Sequence, residues 1–399
     1  MDASIPTAIR AAREVSGMLA KDLAAAVGLS PSSMSLIESG ERSVKASELV
    51  ALADVLGISP LALLEPDSLV GRVSIAARTT EATHAGNSAL LRRLQGVAEV
   101  ASLLSPESRD VVAIWDWSAK PVADLSDWLG SARALASWAL ESAATDDPRP
   151  DDFVKTALYI EQALGVDVIV EEFDDAVIGG AIVGSELPIV IINTRQGRQR
   201  ALFTLAHELG HVLADDGKQI ACDVDFSAKN PSERLANAFA AEFLAPIATV
   251  KRLMNDVSDV RVSVARLMLF TGLSKQTSIY RLHNLGVINA TQRDALMRLH
   301  VSELAAADPD SRNQQLLLTR SDELAPRTVT PMRLLTRLIE AYRVGLVSAA
   351  PIAGILGTDI DYVIDRFGYE PEDQPRDEMN LRTAEPVPSD EAAYDGVPA

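Results

Sequence analysis

The chain has 399 residues, 47% of them hydrophobic, which is enough for roughly two to four domains with well-filled cores. A net charge of −19 excludes a generally basic nucleic-acid coat, so any contact with DNA must be local. One cysteine, Cys222, excludes an internal disulfide framework and fits a reducing cytoplasm, the expected location.

Charged residues interrupt the first thirty positions, so no signal segment is expected there, and no apolar run is long enough to span a membrane. Helical periodicity over Ile5–Val15 and Leu19–Ala26 is followed by the tight segment Val27-Gly28-Leu29. A short helix capped by serine and proline, Ser30–Glu38, then ends at Ser39-Gly40, and another helix runs over Ser47–Leu56. Two short helices joined by a turn containing glycine make a helix-turn-helix. Its second helix would enter the major groove with Ser32, Ser33 and Ser35 near its exposed N-terminal end. Lys21, Arg42 and Lys45 join them as candidate DNA contacts. The segments Asp22-Leu23-Ala24, Gly28-Leu29-Ser30 and Ile37-Glu38-Ser39-Gly40-Glu41-Arg42 resemble the Cro/repressor-type (XRE) helix-turn-helix family over residues 5–65. That resemblance implies a DNA operator as partner, read by a homodimer on paired half-sites. Residues 1–65 hold five Lys and Arg against eight Asp and Glu, so a helical dimerisation or partner-docking domain is the other reading.

Residues 66–88, with Thr, Ser and Gly, read as a polar linker, and helices are expected over Leu90–Leu104 and Leu125–Ala144. The second of these carries Trp128 and Trp138, expected in a core or an interface. Phe153–Leu164 has helical spacing, Gly165 breaks it, and strands are expected over Val166–Val170, Gly179–Gly184 and Pro188–Asn193. A small sheet there could take up an extended peptide as an added strand.

The most informative stretch follows: Leu205-Ala206-His207-Glu208-Leu209-Gly210-His211. Two imidazoles four residues apart share one face of a helix and can grip one metal ion. Glu208 points about 100° away, which suits a general base acting on water rather than a ligand. The alternative is a surface helix that happens to carry two histidines. Leu202, Phe203, Leu205, Ala206, Leu209, Val212 and Leu213 argue against it, because they make the helix apolar almost all round. A third protein ligand is needed. The next helix, opened by Asn230-Pro231-Ser232 and closed before Pro246, offers Glu233, with Asn237 one turn on as a supporting partner. Glu242 falls on the opposite face. A capping role for Glu233, and Asp215, Asp216, Asp223 and Asp225 as rival ligands, stay open on spacing alone.

The run Phe203 to His211, with Glu233-Arg234-Leu235-Ala236-Asn237-Ala238-Phe239-Ala240-Ala241 and Pro246, resembles the ImmA/IrrE family of metallopeptidases over roughly residues 150–290. The resemblance implies zinc on His207, His211 and Glu233, with Glu208 as the catalytic base of peptide hydrolysis. Manganese or iron suits the same ligands.

Beyond this part, Val264–Phe270, Thr271-Gly272-Leu273-Ser274 and Lys275–Leu285 repeat a helix-turn-helix rhythm, and Leu334–Ile364 does so more loosely; helical packing is the default for both. The expected fold is mainly α with an α+β zincin-like domain. It comprises an N-terminal helix-turn-helix bundle (1–67), linker and helical connector (68–148), small sheet with the HExxH helix (149–290), helical C-terminal region (291–368) and disordered acidic tail (369–399). The expected function is a transcriptional regulator carrying a zinc endopeptidase that acts in a stress or mobile-element response. Its protein substrate would be another helix-turn-helix repressor or its own linker. Two alternatives are a regulator whose zincin domain senses a metal or ligand without proteolysis, and a toxin–antitoxin or phage-immunity interaction protein.

Overall fold

The computed structural model describes residues 5–15, 18–58, 60–64, 89–104, 117–142, 153–173, 178–183, 188–215, 220–223, 231–255, 257–310, 312–314 and 328–368. The expected linker at 66–88 and acidic tail at 369–399 lie outside them.

Five helices open the chain: α1 (Ile5–Val15), α2 (Ala20–Ala26), α3 (Pro31–Glu38), α4 (Ala46–Leu56) and α5 (Pro60–Leu64). Among the described residues, their core of Ile9, Leu23, Met34, Ile37, Leu52, Leu56 and Leu63 draws only on residues of this bundle. The turn between α2 and α3 uses Gly28 at φ +70°, a conformation that costs glycine nothing. Ser30 then caps α3 by accepting from the Ser33 amide at 3.1 Å, with Pro31 in the first turn. Arg13 of α1 clasps Glu38 at the end of α3 at 2.6 Å.

The second unit is built around a four-stranded sheet in the order β1-β3-β2-β4. Its strands are β1 (Asp167–Glu171), β2 (Gly179–Ile182), β3 (Ile189–Asn193) and β4 (Ile220–Asp223). β1 runs parallel to β3, and β2 runs antiparallel to both β3 and β4. The fourth strand was not among those expected. Four residues are too few to show a period, and only pairing with β2 makes them a strand; the backbone of Cys222 lies opposite Gly180. The Cys222 side chain lies outside the described residues.

Alternation sends successive side chains to opposite faces. Val168, Val170, Val190 and Ile192 join the larger core, whereas Ile169, Ile189, Ile191 and Ile182 join another. The second face is covered by α6 (Ala89–Ser102), from the stretch read as connector, together with three helices from residues 332–367. The larger core is filled by α7 (Trp128–Glu141), α8 (Phe153–Leu164), α9 (Arg198–Ala214) and α10 (Pro231–Leu244), followed by α11 (Ile247–Met254), α12 (Val260–Thr271), α13 (Lys275–Asn284), α14 (Ala290–Arg298) and α15 (Val301–Ala307). The helices over the second face are α16 (Met332–Arg343), α17 (Ala349–Leu356) and α18 (Ile360–Phe367).

Buried polar groups tie these distant segments together. Asp167 on β1 accepts from the amides of Arg333 and Leu334, at 3.0 and 3.3 Å, and so serves the N-terminus of α16. Val170 and Val329 exchange both backbone hydrogen bonds along the free side of β1. Arg93 of α6 bonds Glu171 at 2.9 Å and also donates to the carbonyls of Gly354 and Ile355 at the end of α17.

Candidate metal centre

α9 starts after Gly197 (φ +84°) and ends where Asp215 turns left-handed at φ +46°, its amide returning to the His211 carbonyl. Lys120 closes the same end by donating to the Leu213 carbonyl at 2.7 Å, a cation where the helix dipole is negative. The helix is buried on nearly every side, and His207, Glu208 and His211 are 0–1% exposed.

α10 crosses against α9 at Gly210. A Cβ placed there would stand 3.0 Å from the Ala236 Cα, so glycine permits the close approach. That approach brings Glu233, in the first turn of α10, to the histidines. The two Nε2 atoms are 3.1 Å apart, and the Glu233 Oε2 stands 3.3 Å from that of His207 and 3.5 Å from that of His211. Three ligands of a tetrahedral zinc at 2.0–2.1 Å are about 3.3 Å from one another, so the donor set fits such an ion in type and spacing. Among the described residues this is the group that could hold a metal. Burial pushes the Glu233 carboxyl up, but hydrogen bonds and charge from His207 and His211 outweigh it and hold the carboxyl well below its usual range.

Ser232 places its Oγ 3.4 Å from the His211 Nδ1, the ring atom facing away from the cluster. A partner there orients the imidazole, whereas the sequence marks Ser232 only as one of the residues that open the helix. Asn237, expected in a supporting role, lies one turn beyond Glu233 and lines a neighbouring cavity. Asp215 ends α9 and stands outside the group; the side chains of Asp216, Asp223 and Asp225 lie outside the described residues. Glu242 faces away, as its angle required, and pairs with Arg281 at 2.7 Å.

Glu208 sits over β2. A Cβ on Gly179 would meet the Thr204 Cγ2 at 2.4 Å and the Glu208 Oε1 at 3.1 Å, so the bare backbone of the strand makes room for the carboxylate. Nothing in the sequence distinguished this glycine from its neighbour. Trp128 lines the cavity beside α9 and α10, and Arg234 stands over its ring at 5.9 Å.

In the helix-turn-helix bundle Lys21, Ser32, Ser35 and Lys45 are exposed. Ser33 is half-buried, with its Oγ 2.9 Å from that of Ser30. Arg42 places its fork on Glu48, at 2.7 and 3.1 Å, so a phosphate would have to compete for it.

Comparison with protein families agrees with both units. Residues 161–283 match the family model described as an IrrE N-terminal-like domain, and residues 7–65 match a helix-turn-helix domain. One chain therefore carries both, the fusion that the sequence resemblance implied. No curated protein matches the chain. Among the described residues, no helix is long and apolar enough to cross a membrane.

Proposed function

We propose that this chain is a DNA-binding transcriptional regulator whose IrrE-like domain is a zinc-dependent endopeptidase acting on a repressor-type protein or on its own linker. The observation that carries the reading is the convergence of His207, His211 and Glu233 beside the buried Glu208. In it, the three donors hold the ion, and Ser232 fixes the His211 ring. Bound zinc supplies Lewis acidity, lowering the pKa of water and polarising a carbonyl. Glu208 receives the proton of the attacking water on its carboxylate and returns it to the leaving amine. Burial of this carboxylate keeps bulk water from competing for the proton. Lys21, Ser32, Ser35 and Lys45 meet the operator, in a homodimer.

Elemental mass spectrometry of the purified chain tests the centre. About one zinc per chain is expected, lost in both His207→Ala and Glu233→Ala. Glu208→Gln should keep the metal but lower cleavage of the substrate by about 10²–10⁴-fold. A chain that takes up no metal after incubation with zinc sinks the reading.

A second reading has its own support. With Glu208 and both histidines 0–1% exposed, a peptide bond cannot reach them in this conformation. The domain would then act as a metal or ligand sensor that never cleaves. Glu208→Gln separates the two, because regulation that survives the substitution in cells leaves only the sensor.

A further inference from the structure

A cavity of about 1020 Å³ opens beside the buried centre, and its wall carries Arg133, Arg200, Arg234 and Arg281 against the single carboxylate of Glu242. Arg281 is already engaged, by Glu242 at 2.7 Å and by the Ala245 carbonyl at 2.9 Å. Arg133, Arg200 and Arg234 are exposed and make no ion pair among the described residues. Three uncompensated guanidiniums on one concave wall, in a chain of net charge −19, create a local field that an anion relieves. The Arg234 guanidinium carbon stands over the Trp128 ring at 5.9 Å, a cation–π contact that uses none of its N–H donors. The first turns of α9 and α13 add their positive ends to the same wall through Gly197 and Ser274.

None of His207, Glu208, His211 and Glu233 lines this cavity, so it is not the cleft in which a scissile bond would meet Glu208. It is nonetheless walled by the helices that carry them: Phe203 lies one turn before His207, with ring centroids 6.3 Å apart, and Asn237 one turn after Glu233. Its volume is that of a small-molecule site, roughly 300–1,000 Å³.

We propose that this cavity binds a small phosphate-bearing molecule, with its phosphates on Arg133, Arg200 and Arg234 and a planar part against Trp128 and Tyr280. Guanidinium forks match phosphate oxygens, and a phosphoanhydride offers enough of them for arginines arriving from α7, α9 and α10. Occupancy would be felt by α9 and α10, which gives the domain a sensory input beyond hydrolysis. Binding itself requires neither the metal nor Glu208.

Isothermal titration calorimetry of the full-length protein with ADP, inorganic pyrophosphate, adenosine and a tetraglutamate peptide tests this. Saturable binding of ADP is expected, with adenosine at least about tenfold weaker. Arg200→Gln and Arg234→Gln should each weaken ADP about tenfold, whereas Glu208→Gln should bind as the parent does. The arginines are exposed, and unchanged circular dichroism would establish that the variants fold. The proposal is overturned if neither phosphate compound binds, if the arginine variants bind ADP as the parent does, or if adenosine binds equally well. Binding of tetraglutamate alone overturns it in favour of an acidic peptide. None of these outcomes depends on proteolysis, so failure of the peptidase reading would be seen separately.

Discussion

At the scale of single residues, the site depends on side chains that are missing as much as on those present. Gly179 leaves space under Thr204 and Glu208, and Gly210 lets α9 touch α10. Gly179→Ala drives a methyl into a full site, so a loss of about 1–3 kcal/mol is expected in calorimetric unfolding, with lower activity from a displaced Glu208. Gly96 on α6 is the contrast, since a Cβ there meets nothing within 4 Å. Gly96→Ala should raise stability by about 0.5–1 kcal/mol, because alanine restricts the unfolded chain at no cost to the fold. Equal effects at both positions would mean that packing around Gly179 is looser than its contacts indicate.

At the scale of elements, two buried carboxylates stand where α8, β1 and α16 meet. Glu161 on α8 is 3% exposed and accepts from the Val168 amide at 3.0 Å; Asp167 serves the first turn of α16. Burial pushes Glu161 up to about 7 and Asp167 up to about 6. The folded protein therefore keeps protons that the unfolded chain, with ordinary carboxyls, has already released. By linkage these two groups favour folding most below the ordinary carboxylate range, and that contribution declines as pH rises through about 7. Glu161→Gln, which cannot ionise, should flatten the fall in unfolding midpoint between pH 5.5 and 8 and be the more stable protein at pH 8. Parallel pH profiles for parent and variant would show that Glu161 is ionised throughout.

At the scale of the whole molecule, chain order and core membership part company. Among the described residues, the N-terminal bundle keeps its core to itself. The sheet instead takes its second cover from α6 and from α16 to α18, segments more than two hundred residues apart. Truncation after residue 330 would strip α16 to α18 from that face and uncover Ile169 on β1, leaving α6 alone over β2 and β3. The truncated chain is expected to aggregate on gel filtration and to lose the cooperative melting of the IrrE-like unit, while the helical signal of the bundle survives. A monodisperse truncation with unchanged melting would make α16 to α18 a separate body.

What the sequence determined by itself is local. Imidazoles four apart share a face of a helix, Ser30 caps, Gly28 turns, and Glu242 must point away from Glu233; each follows from chemistry within a few turns of chain. β4 was illegible for the opposite reason, since its four residues become a strand only by hydrogen bonding to β2. Spacing likewise left Glu233 among several candidate ligands. It was the packing of α10 on Gly210 that set its carboxylate 3.3 Å from His207 and put Ser232 behind His211. The same holds for the arginines around the cavity, which lie on four helices and meet only once the core has formed. Helix periods and caps are written in neighbouring residues, whereas these contacts exist only after distant segments pay the entropy of coming together.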